Sequence, residues 1–371
     1  MKLSVQLQLK PDSSQAEKLR QTLQRANEAA NYVSDIAWEH QVFGQFKLHK
    51  LVYSSLRTKF GLPAQIAVRI IAKVADTYKS DRSANHTFKT HGAIAYDVRN
   101  FSLFVNKSIA SISTRNGRVK VPFVCGDRQR ELLQYKFGEA YLVYRRGKWY
   151  LFVTVNVEEP PPEPFDDILG VDLGITNIAT DSDGESYSGE TVKKVRQRYS
   201  KLRQDLQRCG TRSAKRHLKR LSRRERQFVN TVNHAIAKRI VQKAKDTSRM
   251  IALEDLSGIR KATVRKAQRY LHNSWSFFQL RKFICYKARL AGVHVVLVDP
   301  AYTSQTCPEC LHVSRSNRKS QSVFQCSACG FAGHADHIAA RNIVARAAVN
   351  RPIVARDIPQ LQASGFLAGS S

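Results

Sequence analysis

The sequence predicts an α+β protein of several domains: a small barrel-like sheet with a helical insert, then an α/β domain interrupted by a cysteine module. Three observations carry this prediction. Short β-branched and aromatic runs lie on both sides of a helix-period stretch within the first 160 residues. The proline-rich segment "EEPPPEP" at 158–164 is a stiff linker, which sets a domain boundary there. Two CxxC pairs, Cys307/Cys310 and Cys326/Cys329, are separated by fifteen residues.

Residues 1–10 read as a strand with Leu3, Val5, Leu7 and Leu9 on one face. A Pro-Asp-Ser-Ser turn opens the helical insert, about 11–90, in which Ile66, Ile70 and Val74 recur at helical spacing behind Pro63. From 95 to 158 the turn signals "RNG" and "RRGK" separate runs such as "GRVKVPFV" and "WYLFVTVNV", which read as hairpins. The first domain is thus 1–160. After the linker, "DILGVDLGITNIATDSDGESYSGE" reads as a strand, a hairpin and a second strand, followed by a basic helical region over roughly 191–247. "RMIALEDL" is a buried strand ending in acid. The segment "SWSFFQLRKFICYKARLAG" is a helix whose stripe is Phe277, Leu280, Ile284, Ala288 and Ala291, and "VHVVLVDP" is a core strand. The second domain therefore runs 165–301, yields to the cysteine module at 302–333 and resumes over 334–349 as a helix. Residues 350–371 read as a flexible tail.

Sixty-one Lys and Arg against thirty Asp and Glu leave a formal charge of +31 over 371 residues. Self-repulsion of that size is relieved beside a polyanion, so nucleic acid is the first partner class and an anionic membrane surface the second. There is no signal-peptide core and no run of about 18 apolar residues, which predicts a cytoplasmic protein. Between Lys193 and Arg226 there are fifteen Lys and Arg and two acids. A charge run is ordinarily a solvated face. With so few compensating acids, Arg216, Lys219, Arg220, Arg223 and Arg224 are candidates for contact with a nucleic-acid backbone.

In a reducing compartment the two CxxC pairs argue for metal rather than disulfides. Four thiolates close a tetrahedron, so Cys307, Cys310, Cys326 and Cys329 are candidate ligands of one structural Zn²⁺, and Gly330 suits the tight turn of the second knuckle. Cys125, Cys209 and Cys285 read as incidental thiols. Asp336 opens the following helix but is not needed as a zinc ligand. Asp172, within an apolar strand, and Glu254, ending another, are expensive there unless paired, hydrogen-bonded or bound to a metal. Oxygen-only ligands from these three acids suit Mg²⁺ or Mn²⁺, and two such ions would drive phosphodiester hydrolysis. On the residues alone, caps and strand-end acids are the more common reading. Asp255 and Asp299 read as turn or cap residues. His234 reads as a packing or RNA-contact residue, and Tyr144, Trp149 and Tyr150 as base-stacking or hairpin-core residues.

The succession "GVDLGITNIAT", "IALEDLSG", "WSFFQLRKFICYKARLAGVHVVLVDPAYTSQTCPEC" and "CSACGFAGHADHIAARNI" resembles the TnpB nucleases of insertion-sequence transposons over most of 165–347. The resemblance extends more weakly over "LRTKFGLPAQIAVRIIAKVADTYK" and "THGAIAYDVRNFSL". It implies an RNA-guided DNA endonuclease with an RNase H-like (RuvC) domain interrupted by a zinc ribbon. Asp172, Glu254 and Asp336 fall on that domain's three acidic motifs as metal-holding catalytic residues. It implies a wedge-like N-terminal barrel with a recognition insert, a guide RNA derived from the transposon end, and target DNA cut next to a short flanking motif. His337 stands where many relatives have Asn. Rival readings are a miniature type V CRISPR effector, a catalytically silent RNA-guided repressor, and a strand-joining transposase. The intact acidic triad disfavours the repressor.

Overall fold

The computed structural model describes residues 1–256 and 277–349. The tail expected at 350–371 lies outside them, and so does the first part of the segment read as a helix from Ser274. Contacts divide the chain into two units that meet at Glu158/Glu159.

The first unit begins with β1 (Lys2–Leu9), whose Val5, Leu7 and Leu9 are buried, as period-2 alternation requires. Three helices follow: α1 (Ser13–Glu39), α2 (Gln45–Thr58) and α3 (Ala64–Ser80). Asp12 caps α1 by accepting the Gln15 N–H at 2.8 Å, and the Gln15 side chain accepts the Asp12 N–H in return. The chain then returns to strands: β2 (Ile94–Tyr96), β3 (Phe101–Phe104), β4 (Ile109–Thr114) and β5 (Gly117–Val124). A short α4 (Asp127–Leu132) leads into the hairpin β6 (Phe137–Arg145) and β7 (Lys148–Asn156). The seven strands form one antiparallel sheet, ordered β2-β6-β7-β1-β5-β4-β3, that curls nearly closed. Tyr144 and Trp149 face each other across the β6–β7 hairpin with ring centroids 4.7 Å apart, and Trp149 is buried. Packing accounts for that pair.

The second unit is built on a five-stranded sheet ordered β10-β9-β8-β11-β12. β8 (Asp167–Asp172), β9 (Asn177–Asp181) and β10 (Ser186–Ser188) make an antiparallel meander. Helices α5 (Glu190–Cys209) and α6 (Arg212–Asp246) then carry the chain to β11 (Arg249–Glu254), parallel to β8. The sequence read one basic helical region here. The structure breaks it at Gly210, in the left-handed conformation at φ 61°, and restarts it at Thr211, whose Oγ1 accepts the Ala214 N–H. After α7 (Phe277–Ala291) comes β12 (Val295–Val298), parallel to β11. The ribbon strands β13 (Val323–Gln325) and β14 (Ala332–His334) pair with each other, and α8 (Ala335–Val349) follows directly. Among the described residues no helix is long and apolar enough to cross a membrane.

Alternation along the central strands divides the core between two faces. Leu169, Val171, Ile251 and Leu253 pack with α6 and α7 residues such as Ile236, Ile240, Leu280, Ile284 and Ala288. Met250, Ala252, Val296 and Val298 pack with Ile343 and Ala347 of α8. Gly170 also faces α8. A Cβ there would lie 2.3 Å from the Ala340 carbonyl oxygen and 2.7 Å from a Val344 methyl, so only glycine permits this approach of helix to strand.

Candidate functional site

The two faces decide where the acids go. β8 and β11 are parallel, with Val171 opposite Leu253, and one residue further along each strand come Asp172 and Glu254. Both side chains fall at the carboxyl ends of their strands, on the α8 side by the same alternation that sends Gly170 and Ala252 there. Asp336, the second residue of α8, is 4% exposed. Each acid has a distinct support. Asp336 Oδ2 accepts from Asn177 Nδ2 at 3.0 Å, and its Oδ1 lies 3.4 Å from the Arg318 guanidinium. Glu254 Oε1 accepts from the Thr303 hydroxyl. Burial first, then the negative charges of Glu254 and Asp336, push the Asp172 carboxyl up to about 8, against the pull of Arg318. Burial likewise lifts Glu254 above its ordinary value, against the Thr303 hydrogen bond.

These environments fit a cation. Two like charges beside a buried carboxyl penalise its ionised form, and a divalent ion reverses that sign.

Among the described residues the sulfurs of the four cysteines all lie within 4.8 Å of one another, with Cys307–Cys329 at 3.7 Å and Cys310–Cys326 at 3.5 Å. A tetrahedron with Zn–S bonds of about 2.3 Å has edges of roughly 3.8 Å, so the set fits one zinc ion. The two knuckles share a hydrogen-bond pattern: Cys307 N–H to the His312 carbonyl and Cys326 N–H to the Phe331 carbonyl, with Leu311 and Gly330 donating back to Cys307 and Cys326. Backbone N–H groups of Cys329 and Ala328 point at the Cys326 sulfur and help bring that thiol down to about 6.

Ribbon and acids share structure. Cys307, Phe324 and Cys326 form one apolar cluster with Ala335 and Ile338 of α8. Asn342 on α8 donates to the Thr303 and Thr306 carbonyls, both at 2.8 Å. The cysteine module therefore precedes Asp336 so closely because it seats the helix that bears it. Asn177, Arg318, Thr303 and Asn342 were not singled out in the sequence. Asn177 had a weak signal, a lone amide inside an apolar hairpin, and Arg318 had none.

The other candidates are placed as follows. Arg216, Lys219, Arg220, Arg223 and Arg224 are all exposed on α6. His234 stacks on Phe283 at 3.8 Å, within the α6–α7 packing. Asp299 caps a turn through the Ala301 N–H, and Asp255 pairs with Arg281 at 2.5 Å. Burial raises the Cys285 thiol, which suits an inert packing residue.

Two family profiles match the chain: OrfB_IS605, described as a probable transposase, over residues 151–273, and the Cas12f1-like TNB domain over 277–343. The CRISPR-associated endodeoxyribonuclease Cas12f1 of Sulfoacidibacillus thermotolerans is 34% identical over 231 residues, 57% of this chain and 53% of that protein. TnpB-like protein MJ0751 of Methanocaldococcus jannaschii is 28% identical over 259 residues, 65% of this chain and 91% of that protein. The chain spans about half the length, or less, of the Cas12f relatives it matches. A solved Cas12f1-sgRNA-target DNA complex shares the fold, with a TM-score of 0.62, 14% identity and coverage of 90% of this chain and 83% of that one. The two profiles together span most of 151–343, and over that stretch the chain is similar to a probable transposase family, to the TnpB-like protein and to the Cas12f1 endonucleases.

Proposed function

We propose that this chain is an RNA-guided DNA endonuclease whose second unit is an RNase H-like (RuvC) domain that hydrolyses phosphodiesters at Asp172, Glu254 and Asp336. The observation that carries the proposal is the meeting of three acids at one sheet edge, Glu254 and Asp336 buried and Asp172 half-buried, with Asp172 raised to about 8 by desolvation and by the other two. The endodeoxyribonuclease activity in the Cas12f1 relative's name supports it, as do the guide RNA and target DNA in the solved complex of like fold. When bound, a pair of Mg²⁺ or Mn²⁺ ions would supply an activated water and a Lewis acid for the leaving 3′ oxygen. The protein's part is positional. Asp172, Glu254 and Asp336 would hold the ions, with Thr303 orienting Glu254 and Asn177 with Arg318 orienting Asp336. Zinc in the cysteine set is structural, because four thiolates leave no open position. The five exposed basic residues of α6 would hold guide RNA or its heteroduplex by charge and shape. The setting is the prokaryotic cytoplasm.

The test is a cleavage assay and a binding assay on one guide-matched DNA carrying its flanking motif. Asp172→Ala is expected to abolish cutting and leave RNA-dependent binding within about two-fold, since it leaves the basic surfaces intact. Cutting that persists in the variant would move the active site elsewhere. A second reading, the same chemistry with a CRISPR-derived guide, is favoured by the 34% identity to Cas12f1. Sequencing the RNA that co-purifies with the protein separates the two.

A further inference from the structure

Strand β8, which bears Asp172, and helix α8, which bears Asp336, are tied to the same residue, Ser182. The Ser182 N–H donates to the Gly170 carbonyl at 2.8 Å, and its Oγ accepts the Gly170 N–H at 3.2 Å. Its own carbonyl lies 3.0 Å from Nε2 of His337. A carbonyl only accepts, so Nε2 carries the proton and donates. The turn holding Ser182 is itself fixed. Buried Asp181 accepts the N–H groups of Asp183 and Glu185 at 3.0 and 2.9 Å and pairs with Lys243 at 2.5 Å. Arg249 grips Asp183 with both guanidinium arms at 2.8 and 2.7 Å.

We propose that His337 is a positioning residue for Asp336, and that its bond to Ser182 sets the separation between the Asp336 and Asp172 carboxylates. This inference rests on reading those acids as metal ligands. Residues 336 and 337 stand about 100° apart around α8. Anchoring His337 to a fixed turn therefore fixes the roll of the helix, and with it the direction in which Asp336 leaves the backbone. Gly170 limits how near α8 comes to β8, but a packing contact does not set roll. Asn177 and Arg318 hold the Asp336 carboxylate only once the helix presents it to them. Gln places its amide N–H close to where imidazole carries Nε2–H, whereas Asn reaches only as far as Nδ1. In this chain the donor sits at the longer reach.

The test compares the parent with His337→Phe, which keeps a ring and loses the donor, and with His337→Gln, which keeps the donor. Mn²⁺ binding to the zinc-loaded, RNA-free protein is measured by calorimetry, and single-turnover cutting is measured with the guide-loaded protein in saturating excess over the DNA. His337→Phe is expected to weaken Mn²⁺ binding and slow cutting by about ten-fold or more, with guide-dependent DNA binding unchanged. His337→Gln is expected to recover both to within about three-fold of the parent. A His337→Phe protein that binds Mn²⁺ and cuts like an active parent overturns this inference alone. So does one that loses DNA binding along with cutting, or a His337→Gln as impaired as the Phe variant. A parent that binds no Mn²⁺ and cuts nothing overturns the reading of the three acids, and this inference with it.

Discussion

Asp172 is the residue at which chemistry and stability pull in opposite directions. Its carboxyl is raised from 3.8 to about 8 by burial, then by Glu254 and Asp336. A carboxyl with a higher pKa in the folded than in the unfolded chain takes up protons on folding. Its favourable contribution is complete below about pH 4 and is lost as pH rises through about 8. Zinc-loaded protein without Mg²⁺ should therefore show a falling thermal midpoint from pH 6 to pH 9. Asp172→Asn should flatten that fall, and added Mg²⁺ should offset it in the parent but not in the variant. The measurement is scanning calorimetry across that range, and parallel curves for parent and variant would remove the electrostatic argument. Leu311 shows a different kind of tension. It occupies the position in the first knuckle that Gly330 occupies in the second, at φ 60° against 79°, and is 71% exposed. A left-handed conformation costs a leucine roughly 1–2 kcal/mol that glycine does not incur.

At the level of elements, the ribbon and α8 behave as one piece. Cys307 and Cys326 lie in the same apolar cluster as Ala335 and Ile338, and Asn342 binds two carbonyls of the chain leading into the first knuckle. Losing the zinc should therefore loosen the start of α8 as well as the knuckles. Cys326→Ser is expected to lose about one zinc per chain, lower the thermal midpoint by at least about 5 °C, and lose cutting because Asp336 is no longer held. Elemental analysis and calorimetry on the same preparation test this. Zinc-free parent protein of full stability would refute it.

For the molecule as a whole the governing quantity is the charge of +31. Fifteen of the basic residues fall between Lys193 and Arg226, mostly on solvent-facing positions of α5 and α6. Each phosphate contact releases counterions, so affinity for RNA should fall steeply with salt. Neutralising Arg216, Lys219, Arg220, Arg223 and Arg224 together should reduce the slope of log affinity against log salt by up to about 4. Fluorescence titrations at several salt concentrations give that slope. An unchanged slope would return the run to a merely solvated face.

The sequence by itself determined the short-range features. Alternation marked β1, a continuous apolar run marked β11, helical spacing gave the Leu280, Ile284 and Ala288 stripe, and CxxC spacing gave the cysteine set, because each depends on neighbours within a few residues. It also marked Asp172, Glu254 and Asp336 as acids in costly places, since an acid in an apolar strand is visible in the string itself. Gly210 and Thr211 carried a legible break between α5 and α6, although the charge run masked it. What only the tertiary structure decided is which groups hydrogen-bond to those acids and to the helix that bears Asp336. Asn177, Thr303, Arg318 and the Ser182 carbonyl lie far from their partners along the chain and have no spacing rule. Their roles follow from the parallel pairing of β8 with β11 and from the close seat that Gly170 gives α8. A hydrogen bond acts over about 3 Å of space, while sequence patterns record only distance along the chain.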